Sequence, residues 1–378
     1  MQALTNCTIH TASGRLEAHA VLIEGRHIAD IVEVENVPAD IPRQDLEGGH
    51  LAPGFIDVQV NGGGGVMFNT TPTAETIATM ASAHRRFGTV GFLPTLITDA
   101  RARIAEAIDA VSEALATPTP GLLGMHLEGP VINPERKGMH HGGHIGALEA
   151  EDIARLAALP AARLVTLAPE CAPKGMIAQL TAAGIRVSAG HTQATAEQIA
   201  AAHLEGLTGM THLFNAMSQF TGREPGAVGA ALANEDLWCG IIADGVHVHD
   251  KSILAAWRAK RDKLFLVTDA MAPVGTDMTS FEQAGEEITV RDGSCFLADG
   301  RLAGSTLDMA SAVRHCVNKV SIPLDAALAM ASAHPAEFLG LESSLGKIEA
   351  GYIASLVWLD DDLAVKATWI DGQYEYHG

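Results

Sequence analysis

The sequence predicts a (β/α)8 barrel of the TIM type, carrying a small β-sandwich domain assembled from both ends of the chain. Two observations carry this α/β reading. Apolar, strand-like runs occur at 55–61, 89–95, 122–128, 163–168, 185–190, 207–212, 238–244 and 264–269. Segments of helical period fall between them: Ala74 to Phe87, Arg101 to Ala116, Glu149 to Leu159, Lys174 to Ala183, Thr195 to Glu205 and Asp250 to Lys260. The stretch around 226–235 is ambiguous. Eight strands alternating with helices fit a closed parallel barrel, whose functional groups belong at the carboxyl ends of the strands.

The two chain ends have a different rhythm. Up to about Glu47, short apolar runs alternate with turns, as in Val21-Leu22-Ile23, Gly25, and Ile28 to Val34. The last segment repeats this pattern, with Ile353 to Leu359, Ala367 to Ile370 and the Asp371-Gly372 turn. Such runs read as small antiparallel strands. Neither end can bury a core by itself. Residues 1–50 and 341–378 are therefore expected to pair as one discontinuous β domain beside a barrel of residues 51–340.

Composition narrows the function. Of 378 residues, 47% are apolar, enough for a sizeable core, and formal charge is 25 − 45 = −20 with no basic run. That balance speaks against nucleic acid and anionic membrane as partners. Aromatics are only 4%, too few for base-stacking surfaces. Cys7, Cys171, Cys239, Cys295 and Cys316 are odd in number and scattered, without C-x-x-C, as expected of reduced thiols in the cytoplasm. Met1 to Leu16 lacks a basic stretch followed by an apolar core, and no run of 18 apolar residues exists. Neither a signal peptide nor a membrane span is expected.

Chemistry concentrates in three stretches: His126-Leu127-Glu128-Gly129-Pro130, Ala189-Gly190-His191 and Thr211-His212-Leu213-Phe214-Asn215-Ala216-Met217. Each ends an apolar run on a side chain able to bind metal. Glu128, His191 and His212 make a two-histidine, one-carboxylate set that fills three coordination positions and leaves a fourth for water. Such a set suits zinc, and ferrous iron accepts it too. A further run, Leu264 to Asp269, ends on a carboxylate. Asp269 beside a metal-held water is the minimum apparatus for hydrolysing an amide, with Asp269 as general base. Two long loops, Gly129 to Leu148 and Met271 to Gly304, read as lids or substrate walls. The second contains a hairpin-like pattern from Glu287 to Leu297. Asp57, Gln59 and Asn61 share one face of the first strand by period-two alternation.

These stretches, with Pro53-Gly54-Phe55-Ile56-Asp57-Val58-Gln59-Val60-Asn61-Gly62, Lys137-Gly138-Met139-His140, Gly222-Arg223-Glu224-Pro225-Gly226, Asp244-Gly245-Val246-His247-Val248-His249 and Val267-Thr268-Asp269-Ala270, resemble the amidohydrolase superfamily. The likeness is to its N-acetylglucosamine-6-phosphate deacetylase branch, and it covers nearly the whole chain. Many amidohydrolases hold a second metal with His-x-His where Gln59 and Asn61 stand here. Amide side chains are poor ligands for a transition metal, and the fourth strand ends Ala168-Pro169-Glu170 without a bridging Lys. One divalent ion per subunit is therefore expected, with Gln59 and Asn61 either in plain hydrogen bonds or positioning water and the metal shell.

The resemblance also implies roles for other residues. His140 matches the histidine that polarises the acetamide carbonyl and supports the oxyanion. Asn215, the Ala216 amide, Arg223 and His247 match positions that contact the sugar phosphate. The arginine comes from a neighbouring subunit, which implies a homodimer. Arg223 offers a planar, permanently charged fork suited to phosphate. His126, His249 and His334 read as structural, and His141 and His144 as surface. The expected reaction is removal of acetate from N-acetylglucosamine 6-phosphate. The galactosamine epimer, another amidohydrolase acting on a cyclic amide, and a non-catalytic sugar-phosphate sensor are the alternatives.

Overall fold

The computed structural model describes residues 1–117, 119–283 and 285–378. Its centre is a parallel sheet of eight strands: β1 (Phe55–Val60), β2 (Thr89–Ile97), β3 (Gly124–Glu128), β4 (Ala162–Leu167), β5 (Arg186–Ala189), β6 (Gly209–Met210), β7 (Trp238–Ile241) and β8 (Leu264–Leu266). They neighbour one another in chain order, as the β/α rhythm requires. All six residues of β1 and all nine of β2 are buried, because side chains fill the barrel on one face and helices cover the other. Such strands are continuous apolar runs, which is why they were legible.

The barrel closes without a regular ladder between β8 and β1. Instead the chain just past β8 reaches back: Asp269 N donates to Gln59 O at 3.0 Å, and the Asn61 and Gly62 amides both donate to Ala270 O at 2.9 Å. Three strands stop two or three residues short of their expected ends, β6, β7 and β8 ending at Met210, Ile241 and Leu266. At two of these ends the site residue has left the strand: φ is +34° at His212 and +52° at Asp269. A left-handed residue cannot extend a β ladder.

Seven helices follow the strands: α1 (Ala74–Arg85), α2 (Arg101–Ala116), α3 (Ala150–Ala157), α4 (Met176–Ala182), α5 (Ala196–Leu204), α6 (Gly226–Ala233) and α7 (Asp250–Lys260). Helix α6 resolves the ambiguous stretch. Its sequence, GAVGAALA, is small and apolar all round, so it has no polar face to reveal a period. Beyond residue 305 come helices unread from the sequence: α8 (Met309–His315), running into a π turn at Cys316–Val320, then α9 (Leu324–Ala331) and α10 (Ala333–Leu339). The last two pack on β1 and β8 and cover the closing seam.

Both chain ends meet in two further sheets. One has the order 27–33, 19–24, 2–5, 43–45; the other has 373–376, 365–370, 356–359, 50–53, 8–11, 14–16. Residues 50–53 pair with 8–9 on one side and with 356–359 on the other, which joins the two ends. Leu4, Ile9, Val21, Leu51, Leu356 and Trp369 pack in one cluster between the sheets. We place the junction with the barrel at Gly54, one strand later than the expected boundary at 51. A Cβ there would lie 2.3 Å from Val90, so only glycine lets the chain pass.

The hairpin expected within 271–304 is part of a larger flap. Ser280–Gln283, Glu286–Arg291, Ser294–Phe296 and Leu302–Ser305 form an antiparallel sheet in chain order. Its buried face sets Ile288, Cys295 and Ala303 on Met67 and Met271.

Arg85, near the end of α1, ties barrel to terminal sheet. Its Nε donates to Thr368 Oγ1 at 3.0 Å, Nη2 to Gln373 O at 2.7 Å, and Nη1 faces Glu375 at 3.0 Å. We predict that Arg85→Ala lowers stability by about 1–2 kcal/mol, the loss of one bond to buried Thr368 and of two more to the exposed Gln373 and Glu375. The urea midpoint measures this; an unchanged midpoint means that apolar packing alone holds the seam.

Candidate metal centre and active site

Glu128 closes β3, His191 lies two residues past β5, and His212 two past β6. The barrel's curvature turns these separate strand ends toward one point. Glu128 Oε1 is 3.0 Å from His191 Nε2 and 3.0 Å from His212 Nε2, and the two Nε2 atoms are 3.1 Å apart. All three residues are buried. His191 Nδ1 faces Arg136 O at 2.7 Å; a carbonyl only accepts, so in the neutral ring Nδ1 carries the proton and Nε2 is a bare lone pair. That lone pair points at a carboxylate oxygen. A cation between them removes the repulsion, and adjacent donors on a tetrahedral ion lie roughly 3.3 Å apart for bonds of about 2.0–2.1 Å. The donor set therefore fits one metal ion.

A second grouping is present: donor atoms of Glu128, His140 and His191 lie within 4.8 Å of one another. The tighter trio with His212 is the better cage, because His140 is otherwise engaged. Thr98 N donates to His140 Nδ1 at 3.2 Å, and Thr98 Oγ1 is 2.7 Å from the same atom. A backbone amide only donates, so Nδ1 is an acceptor and the proton sits on Nε2, available to a substrate oxygen.

Burial opposes charge on Glu128, yet hydrogen bonds and charge from His191 and His212 outweigh it and hold the carboxyl well below its usual range. Burial likewise opposes charge on His212, but Glu128 overrides it and raises the imidazole. Both shifts come from the close approach of the imidazoles to this carboxylate. Asp269 is pushed up, first by burial and then by the charge of Glu128. His140 is held well below the usual imidazole range by burial and by His191. His126, brought down to about 4 by burial, is neutral between Thr95 and Thr166 and structural, as expected.

Asp269 enters from the β8 end. Its Oδ1 accepts from Asn61 Nδ2 at 2.6 Å and from Gln59 Nε2 at 3.3 Å. Gln59 Nε2 also spans both oxygens of Glu128 at 3.2 Å. The two amides thus present N–H groups to carboxylates. A cavity of about 260 Å³ opens above, lined by Asn61, Glu128, His140, His191, His212, Asn215, Ala216, His247 and Asp269, with Ile242 and flap residues Leu302–Gly304 as walls. Arg223 is absent from this lining and exposed on its loop. No Lys or Arg among the described residues lines the cavity.

Comparison with known proteins settles the lineage. A model described as "Amidohydrolase family" matches residues 50–374, and one described as "NagA composite domain" matches residues 1–51. The chain belongs to the amidohydrolase family. This amidohydrolase is 48% identical to N-acetylgalactosamine-6-phosphate deacetylase of Shewanella sp. (strain ANA-3), over 89% of its own length and 86% of the relative's. It is 36% identical to N-acetylglucosamine-6-phosphate deacetylase of Haemophilus influenzae, over 99% of each chain. The crystal structure of N-acetylglucosamine-6-phosphate deacetylase from Pasteurella multocida superposes with a TM-score of 0.96 at 38% identity, over 99% of both chains.

Several supporting residues of this amidohydrolase were not singled out from the sequence. Thr98 sets the His140 tautomer. Glu170, noted only for not being Lys, accepts from Asn133 Nδ2, Gln193 N and Thr192 Oγ1 at 2.5–3.0 Å and so ties down the loop after His191. Its place at the end of β4 was the available signal. Glu224, inside the Gly222-to-Gly226 motif, accepts from Ala196 N and Gly226 N, anchoring that loop to α5.

The two donor groupings make opposite predictions. His212→Ala is expected to weaken divalent-metal affinity by at least about 100-fold, beyond the usual effect of losing a ligand's supporting partner. His140→Ala should leave it within a few-fold. Metal analysis after dialysis against a graded chelator reads both. The reverse pattern would move the ion to the His140 grouping.

Proposed function

We propose that this chain is a metal-dependent deacetylase that converts N-acetylglucosamine 6-phosphate to glucosamine 6-phosphate and acetate. What carries the reading is the convergence of Glu128, His191 and His212 to 3.0–3.1 Å beside the half-buried carboxylate of Asp269. One divalent ion, zinc or ferrous iron, held by these three would polarise the acetamide carbonyl and lower the pKa of water toward neutrality.

The chain's own groups handle the protons. Asp269, held by Asn61 and Gln59 with its pKa raised by burial, takes a proton from the attacking water and delivers it to the departing nitrogen. His140 presents Nε2–H toward the carbonyl oxygen and supports negative charge as the carbon becomes tetrahedral. Raised Asp269 and neutral His140 are the protonation states this division of labour needs. A sensor of the ligand would have no use for Asp269.

The phosphate contacts of this reading are Asn215, the Ala216 amide and His247 on the cavity wall, with Arg223 supplied across a homodimer. That no Lys or Arg among the described residues lines the cavity supports an arginine from elsewhere. The five free cysteines fit a cytoplasmic enzyme, and no helix among the described residues is long and apolar enough to cross a membrane.

The galactosamine epimer is the second reading, favoured by the 48% identity to a relative with that name. Acetate release from both 6-phosphorylated epimers decides between them. We expect activity on one or both, abolished by chelation and restored by zinc or ferrous iron. Activity that survives full chelation, or its absence on both epimers with metal restored, would sink the proposal. For the phosphate contact, Arg223→Ala should raise KM for the phosphorylated sugar about 10–100-fold, the worth of a charge-assisted hydrogen bond. KM for the unphosphorylated sugar should stay unchanged. Equal effects on both would remove Arg223 from phosphate binding.

A further inference from the structure

Asp269 has a left-handed backbone, φ +52°, uncommon for a residue with a Cβ although aspartate tolerates it better than most. Besides the bond from Asp269 N to Gln59 O at 3.0 Å, three buried side chains fasten this turn, none of which lines the cavity. Thr268, the preceding residue, donates its hydroxyl to Asp57 Oδ2 at 2.5 Å and accepts from Ala270 N at 3.2 Å. Asp57 Oδ1 in turn accepts from Gln59 N at 3.1 Å. On the other side Ser305, the last residue of the flap, donates its hydroxyl to Thr268 O at 2.5 Å and its amide to Asp269 O at 3.1 Å. Asp57, Thr268 and Ser305 are each 0% exposed.

We propose that Asp57, Thr268 and Ser305 are positioning residues that hold the backbone on both sides of Asp269 and thereby aim its carboxylate into the cavity. The inference rests on the reading of Asp269 as the proton-transfer group. Its physical basis is the sparse pairing at the β8–β1 seam. Neighbouring strands elsewhere in the barrel are registered by regular ladders, as in the five-residue pairing of β3 with β4. At the seam the backbone bonds of Asp269, Asn61 and Gly62 are supplemented by side chains at the position where a reactive group stands. A fully buried carboxylate is a costly fastener where an apolar pair would suffice for stability alone. It has a use where direction matters. Ser305 also joins the flap to this turn, since Met271 N donates to Ser305 O at 2.9 Å while Leu302–Gly304 wall the cavity. The flap that encloses the substrate and the backbone that carries the acid–base group are thus one hydrogen-bonded unit.

The test uses Thr268→Val, which keeps shape and loses the hydroxyl, Thr268→Ser, which keeps the hydroxyl, and Ser305→Ala. Each is made alone and in an Asp269→Asn background, with kcat, KM, bound metal and Tm recorded on metal-loaded protein. Thr268→Val and Ser305→Ala should lower kcat roughly 10–100-fold, the effect of misaiming a reacting group by about an ångström. KM and metal content should stay within about twofold, and Thr268→Ser should restore kcat to within about threefold. In the Asp269→Asn background the same replacements should cost less than about twofold, because their effect acts through the missing group. Wild-type kcat in both Thr268→Val and Ser305→Ala, or equal losses in the two backgrounds, would overturn the proposal. Near-normal turnover of Asp269→Asn by itself would overturn the acid–base assignment and this inference together. A crippled Asp269→Asn beside unaffected positioning variants would overturn this inference alone.

Discussion

A buried carboxylate organises the mouth of this barrel. Glu128 is 1% exposed, in a cavity that no Lys or Arg among the described residues lines. Removing an ionised carboxylate from water costs several kcal/mol unless opposite charge stands beside it. Among the described residues the nearest groups able to answer are the imidazoles of His191 and His212, and one of them is fixed by Arg136 O with its lone pair facing Glu128. A bound cation would supply the positive charge that this lone pair does not. In a chain of net charge −20, attracting a divalent cation is electrostatically easy; placing it is the difficult part. Radial convergence of strand ends solves the placement, which is why the three donors lie far apart in sequence.

The same geometry explains what was legible beforehand. Strands covered on both faces read as unbroken apolar runs, and a charged or imidazole side chain at the end of such a run stands out. Glu128, His191, His212 and Asp269 were found in that way. Asn215, Ala216 and His247 came from the resemblance, and their loops carry no periodic signal. Helices α8–α10 escaped notice because the barrel's eight-fold rhythm was already complete before them. The flap was half seen: its two inner strands are joined by an Asp292-Gly293 turn, whereas its outer strands have no comparable mark. Thr98 and Ser305 were invisible for a different reason. Each acts through a partner 37 to 42 residues away, and nothing in a lone Thr or Ser announces that.

Gln59 and Asn61 set the electrical balance of the site. These amides donate N–H groups to Glu128 and Asp269. They stabilise two neighbouring carboxylates without adding charge. At Glu128 the imidazoles of His191 and His212 outweigh burial and hold the carboxyl low, whereas burial raises Asp269. The difference between the two carboxylates follows from which partners surround each.

His191, His212 and Asp269 share positive φ, at +49°, +34° and +52°. Backbone in this region disfavours side chains with a Cβ by on the order of 1 kcal/mol per residue and accepts glycine freely. A glycine at any of the three would suit the backbone better and would strip the cavity wall of a polar side chain. Backbone ease and the make-up of the pocket therefore pull in opposite directions at these three positions.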